Sequence, residues 1–198
     1  MTPRRYRLHL PENFLQKDVN EPVVGEILRR AFGIREVRRG DPRLREPDLL
    51  LDGVGEEVTF AAEGRHLPSF ISEYCDGVYF PEEARNAMTL PILSALDRKA
   101  NKRYVNAPVN VAVLCMLELF DWTADVYGAA LGQMPRRERD AFFSILRKLY
   151  LENGQFADIH LLVPTLTRGW AVFDIAADKT YLVSVGEEMR LPYFEEIF

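Results

Sequence analysis

The sequence predicts a mixed α/β or α+β domain, and three observations point there. Apolar residues recur at helical spacing in three punctuated segments, and fall in short alternating or continuous runs elsewhere. An Asp52-Gly53 pair joins two of the short runs as a hairpin turn. The order along the chain is helix, three strands, helix, strand, helix and then further strands, which suits a sheet covered by helices. Residues 1–198 read as a single domain, since no repeat, low-complexity tract or composition break marks a linker. With 47% hydrophobic and 28% charged residues, a chain of 198 residues buries a core without disulfide or metal staples.

Each element has its own signal. "EPVVGEILRRAFG" carries Pro22 near a helix start and Gly33 at its end, with Val23, Val24, Ile27, Leu28 and Ala31 on one face. "IREVRR" follows as a strand, then a polar loop, then "DLLL", the Asp52-Gly53 turn and "GEEVTFAA". Residues 64 to 88 contain Pro68, Pro81 and several aromatics and give no assignment. Thr89 caps "LPILSALDRKANKRY" as a helix, with Pro91 tolerated in the first turn. "VNVAVLCMLEL" reads as a buried strand, and Pro135 and Gly154 bracket the amphipathic helix "PRRERDAFFSILRKLYLENG". "ADIHLLVP", "GWAVFDI" and "TYLVSV" are further strands, and the tail "MRLPYFEEIF" is ambiguous.

Composition bounds the function classes. A net charge of −5 argues against general coating of nucleic acid, though it leaves room for a local basic strip beside an acidic site. Basic residues cluster in "IREVRRGDPRLRE", "DRKANKR" and "PRRER", and solvated surface charge explains any one of them. Cys75 and Cys115 lack metal-ligand spacing and read as reduced thiols, hence a cytoplasmic protein. The start has no apolar secretory segment, and the run "VNVAVLCMLELF" is too short to span a bilayer, so no membrane is expected. His9, His66 and His160 form no ligand spacing, and no nucleophile elbow, phosphate loop or dinucleotide fingerprint is present.

The chemistry concentrates in "REPDLLLDGVGEEVTFAAEGR". A two-residue turn at Asp52-Gly53 pairs Leu51 with Val54, Leu49 with Glu56, and Asp48 with Glu57. A four-residue loop would put Asp48 opposite Thr59 instead, with Glu57 still on the same face. Opposed like charges repel and call for a compensating partner, and a hard divalent cation is one. Hydration of an exposed face is the plainer alternative. On the helix after Thr89, Lys99 lies about 20° from Ile92 on a wheel of about 100° per residue, hence on the stripe facing the sheet. Lys102 falls at the edge of that stripe, and Arg103 lies on it.

Pro47-Asp48, a short interval and then Glu57-Val58-Thr59 resemble the motif of the PD-(D/E)XK nuclease superfamily. The leading helix, the strand order and the helix "SALDRKANKRY" before a buried strand extend the resemblance over a core of approximately residues 20–165, with additional C-terminal strands. It implies a restriction-endonuclease-like mixed β-sheet flanked by helices. It also implies metal-dependent phosphodiester hydrolysis of nucleic acid, with Asp48 and Glu57 binding Mg²⁺ or Mn²⁺. The motif is short and degenerate, and Thr59 stands where the family usually has lysine. Some members carry that lysine on the following helix, which makes Lys99 the expected third catalytic residue. Glu26, beside the apolar face of the first helix, takes the place of an extra metal-site acid, with Glu21 the alternative. A non-catalytic nucleic-acid- or protein-binding module with a decayed site is the competing expectation, and homodimer formation is left open.

Overall fold

The computed structural model describes residues 5–9, 13–14, 16–61, 89–105, 107–115, 136–164, 169–184 and 193–197. Residues 64 to 88, which the sequence leaves unassigned, lie outside them, as do Cys75, His66 and residues 116–119 at the end of the predicted strand.

One helix precedes the main sheet. Helix α1 (Lys17–Phe32) ends at Gly33, whose φ of 68° is left-handed and whose N–H returns to Arg29 O. The helix starts earlier than the Pro22 signal predicts, so Pro22 lies inside it. Tertiary contacts hold the added turn: Asn20 Nδ2 donates to Phe14 O at 3.2 Å, and Lys17 reaches Asp48. Local sequence encodes neither contact.

Seven strands then form one mixed sheet in chain order: β2 (Val37–Arg39), β3 (Leu49–Leu51), β4 (Val54–Phe60), β5 (Asn110–Leu114), β6 (Ile159–Pro164), β7 (Gly169–Asp174) and β8 (Lys179–Ser184). β2, β3 and β4 are successively antiparallel, and β4, β5 and β6 are parallel. β7 and β8 add two antiparallel strands to the same sheet, within the stretches "GWAVFDI" and "TYLVSV" that the sequence reads as strands. Asp52 and Gly53 both have positive φ, 48° and 85°, as the tightest hairpin turn requires. The pairing is Leu51 with Val54 and Leu49 with Glu56, the two-residue register.

Helix α2 (Thr89–Ala100) connects β4 to β5, and α3 (Arg136–Leu146) precedes β6, continuing as a π-helical turn over Arg147–Leu151. The architecture is α/β with helices on both faces. Val24, Ile27 and Leu28 of α1 pack with Leu49, Val58 and Trp170 on one side. Ile92 and Leu96 of α2 and Phe142 and Leu146 of α3 pack with Val111 and Leu161 on the other. Among the described residues, no helix is long and apolar enough to cross a membrane.

A separate pair, β1 (Arg5–His9) and β9 (Tyr193–Ile197), joins the two chain ends antiparallel. No local pattern announces this pairing, because its partners are almost a chain length apart.

Gly40 governs how the chain enters β3. A Cβ there would lie 1.8 Å from the Pro47 carbonyl oxygen, while Gly40 N donates to Asp48 O at 3.0 Å. Backbone passes over backbone, so only glycine fits. Gly40→Ala is expected to destabilise the fold by at least the roughly 1–3 kcal/mol of an overpacked site, because backbone rather than a side chain must move. Urea unfolding of the variant against wild type measures it.

Candidate functional site

The end of β3 and the middle of β4 build the site. Asp48 stands one residue before β3, where the ladder would pair it with Glu57. Its Oδ2 instead accepts the Val58 N–H at 3.0 Å, which turns the carboxylate toward Glu57 on the α2 side of the sheet. Glu57 is only 1% exposed. Lys99, 12% exposed, donates to Glu57 Oε1 and stands 3.6 Å from Asp48 Oδ2. The structure thus brings Asp48, Glu57 and Lys99 together.

Two further lysines join them. Lys102 donates to the same Glu57 oxygen as Lys99, and Lys17 donates to Asp48 Oδ1 at 2.6 Å. The sequence wheel underrates Lys102 because it continues the helix to Tyr104. Helix α2 ends at Ala100, and a turn closed by Lys102 N to Lys99 O carries the second ammonium back to the carboxylate. Arg103, beyond that turn, is exposed. Lys17 escapes detection because its helix starts upstream of the recognised pattern.

Thr59 lies on the face of Glu57, buried, with no amine at that strand position. Glu26 is not part of the group. It pairs with Arg29 and Arg30 of its own helix at 2.6 Å, and the Arg29 hydrogen bond leads the effects that hold its carboxyl down to about 2. The acid that α1 directs toward the site is Glu21, buried, at 2.6 Å from Arg39 and 3.5 Å from Lys17. Because the helix begins at Lys17, Glu21 sits one turn in rather than in the dipole-favoured first turn.

Charge balance shapes the site. Burial pushes the Asp48 carboxyl up, but Lys17, Lys99 and the Val58 amide outweigh it and hold it below its ordinary 3.8. Burial lowers the Lys99 ammonium below its ordinary 10.5 despite Glu57 and Asp48. Lys102 is more open; burial opposes its charge, yet Glu57 raises it. The two lysines on one oxygen therefore differ, and Lys99 is the one readier to give up a proton. Tyr104 completes the wall. Its buried hydroxyl is short of hydrogen-bonding geometry to any partner, and burial together with the nearby Glu57 charge pushes its pKa up.

A second polar group occupies the opposite face. Successive strand residues point to opposite sides, so Glu56 is directed to the α1 side. There Glu56 Oε1 lies 2.9 Å from His160 Nδ1, and His160 Nε2 lies 3.4 Å from Asp158 Oδ2. Asp174 pairs with His160 across β6 and β7. Burial opposes charge on the imidazole, but Glu56 and Asp158 outweigh it and raise its pKa to about 10. The sequence places His160 in a strand, "ADIHLLVP", with no ligand spacing to another histidine. The readable signal was alternation: Asp158 and His160 share a face, and two consecutive glutamates in a buried strand cannot.

In comparisons with protein-family models, curated proteins and solved structures, the chain has no significant match.

Two outcomes are expected from the charge balance. Removing both Lys99 and Lys102 leaves Glu57 buried without a cation, which costs about 3–5 kcal/mol. Lys99→Met and Lys102→Met alone should each cost less, and urea unfolding of the three variants tests this. For Asp48 the folded pKa lies below the unfolded one, so its stabilisation is present above about pH 4 and is lost as pH falls further. Wild type should therefore lose more stability than Asp48→Asn between pH 4 and pH 2, read from unfolding midpoints.

Proposed function

We propose that the chain is a metal-dependent phosphodiester hydrolase acting on nucleic acid, of the restriction-endonuclease-like type. The observation that carries this reading is the meeting of Asp48 and Glu57 from adjoining strand positions with the Lys99 amine from the next helix. The chain order supports it: a helix, three antiparallel strands, a helix and a parallel strand.

The donor set fits a hard cation. Two carboxylates offer oxygen ligands of the kind Mg²⁺ and Mn²⁺ take, leaving further positions for water and phosphate oxygens. Asp48 and Glu57 would hold the ion, and Glu21 rather than Glu26 is the further acid on α1. When bound, such an ion polarises a phosphate oxygen and acidifies a water. The chain's own groups do the rest. The carboxylates orient what they hold, and the Val58 amide fixes the rotation of Asp48. Lys99, with its lowered pKa, is suited to hold or accept a proton at the attacking oxygen. Lys102, half exposed beside Glu57, would neutralise phosphate charge.

One observation favours the non-catalytic reading. Lys17, Lys99 and Lys102 already neutralise the two carboxylates, so a cation must displace ammonium groups to enter. Under that reading the lysines are structural and the fold serves binding alone.

Cleavage assays separate the two. Plasmid DNA, single-stranded DNA and RNA are incubated with Mn²⁺, with chelator as control. Metal-dependent products are expected, and Lys99→Met should reduce the rate by at least about 10²–10³-fold, the scale of one lost charge-stabilising group. Mn²⁺ titration should show binding that survives Lys99→Met and is weakened by Asp48→Asn and by Glu57→Gln. No product from any substrate would favour the binding module. Cleavage that survives Lys99→Met would remove that residue from the mechanism.

A further inference from the structure

We propose that Asp158, His160 and Asp174 bind a divalent transition-metal ion of the zinc type, with Glu56 holding the imidazole in ligating orientation. This site lies on the opposite face of the sheet from Asp48 and Glu57 and does not depend on the hydrolase reading.

The geometry comes first. One ligand atom from each of the three residues lies within 4.8 Å of the others. An ion bonded at about 2.0–2.2 Å draws its ligands closer than that, a contraction within reach of aspartate side-chain rotation. The histidine is already oriented. Its Nδ1 faces Glu56 Oε1 at 2.9 Å, which leaves Nε2 directed toward Asp158 Oδ2 at 3.4 Å. A carboxylate on one ring nitrogen is how metal-bound histidines are commonly held, and the other nitrogen here faces Asp158, itself one of the three ligand residues.

A second, independent observation concerns Glu56. Its side chain is fully buried, and its Oε2 has no hydrogen-bond partner. Among the described residues it is the one buried carboxylate oxygen left in this condition, and it belongs to the carboxylate that grips the imidazole. A buried carboxylate oxygen in this condition calls for a partner, whether a proton, a water or a cation near the imidazole it shares. The surroundings agree. Glu56, Asp158 and Asp174 set three carboxylates against one imidazole, and among the described residues no lysine or arginine pairs with any of them. On the other face, three ammonium groups meet two carboxylates. One group of acids is met by side-chain ammonium groups, and the other by a single imidazole and the backbone amides of Ile159, Ala176 and Ala177.

Donor type selects the ion. Imidazole with two carboxylates suits Zn²⁺, Co²⁺ or Ni²⁺, whereas Mg²⁺ prefers oxygen alone. Phe32 covers the imidazole from α1 at 4.8 Å, and Asp158, 18% exposed, opens the approach from solvent. The bound ion would tie the start of β6 to the end of β7, and through Glu56 to β4.

The test uses the full chain, stripped with chelator and titrated with Zn²⁺ by calorimetry, with Co²⁺ absorption reporting the ligand field. To keep the first site out of the measurement, the background is the Asp48→Asn/Glu57→Gln double variant. That protein should bind one Zn²⁺ per chain and give Co²⁺ d–d bands. Asp174→Asn should weaken Zn²⁺ by at least about 10-fold and abolish the bands, and Glu56→Gln should weaken it by about 10–100-fold, as loss of an orienting partner does. Asp158→Asn, at the more open rim, provides the same readout if a buried variant misfolds by circular dichroism. Absence of Zn²⁺ binding in the double variant, or binding indifferent to both Asp158→Asn and Asp174→Asn, overturns the proposal.

Discussion

Two consecutive glutamates buried in β4 constrain the rest of the molecule. Strand alternation sends Glu56 and Glu57 to opposite faces, and each is almost wholly removed from water. An ionised carboxylate in that position needs a partner, so both faces of the sheet must deliver one. On the α2 side the partners are Lys99 and Lys102; on the α1 side the partner is His160. Apolar residues of similar size would serve stability as well or better, since buried ion pairs are rarely net stabilising against well-packed substitutes.

Delivery of those partners depends on where elements stop. Helix α2 ends at Ala100, and the following turn returns Lys102 to an oxygen already met by Lys99. The β3 ladder ends at Leu49, which frees the Val58 amide to fix Asp48. Gly40 lets the preceding loop lie against Pro47, holding the approach to that end. The extra turn of α1 brings Lys17 to the far oxygen of Asp48. Each termination releases a backbone group or a side chain that the regular element would have used internally.

Much of the fold was legible because it is written locally. The Asp52-Gly53 turn, with strand periodicity, set the register that pairs Leu49 with Glu56 and leaves Asp48 beside Glu57. Helical periodicity put Lys99 on the inward stripe, since seven residues make nearly two full turns from buried Ile92. What escaped was decided at a distance. The start of α1, the end of α2 and the pairing of β1 with β9 depend on contacts between segments far apart in sequence. Glu21 and Glu26 lie about 140° apart at about 100° per residue, and Glu21 shares the buried face of Val24 and Leu28, a placement obscured by the later helix start that Pro22 signals. The His160 group draws on three strands, and no spacing within one segment could reveal it.

An amine on a helix differs physically from an amine on the strand. A lysine at the Thr59 position would share its backbone with Glu57, and strand geometry alone would fix their separation. Lys99 approaches from the layer above, so its distance to Glu57 is set by how α2 seats on the sheet through Ile92, Ala95 and Leu96. Close packing makes that seating definite, because an interior at crystal-like density transmits shifts instead of absorbing them. A change of one methylene beneath α2 would then move the amine relative to both carboxylates, and misplacement of about 1 Å in a reacting group can cost about 10²-fold in rate. With the amine on α2, the geometry of Asp48, Glu57 and Lys99 depends on the whole α2 interface, which couples the chemistry proposed for Asp48 and Glu57 to the core directly beneath the helix.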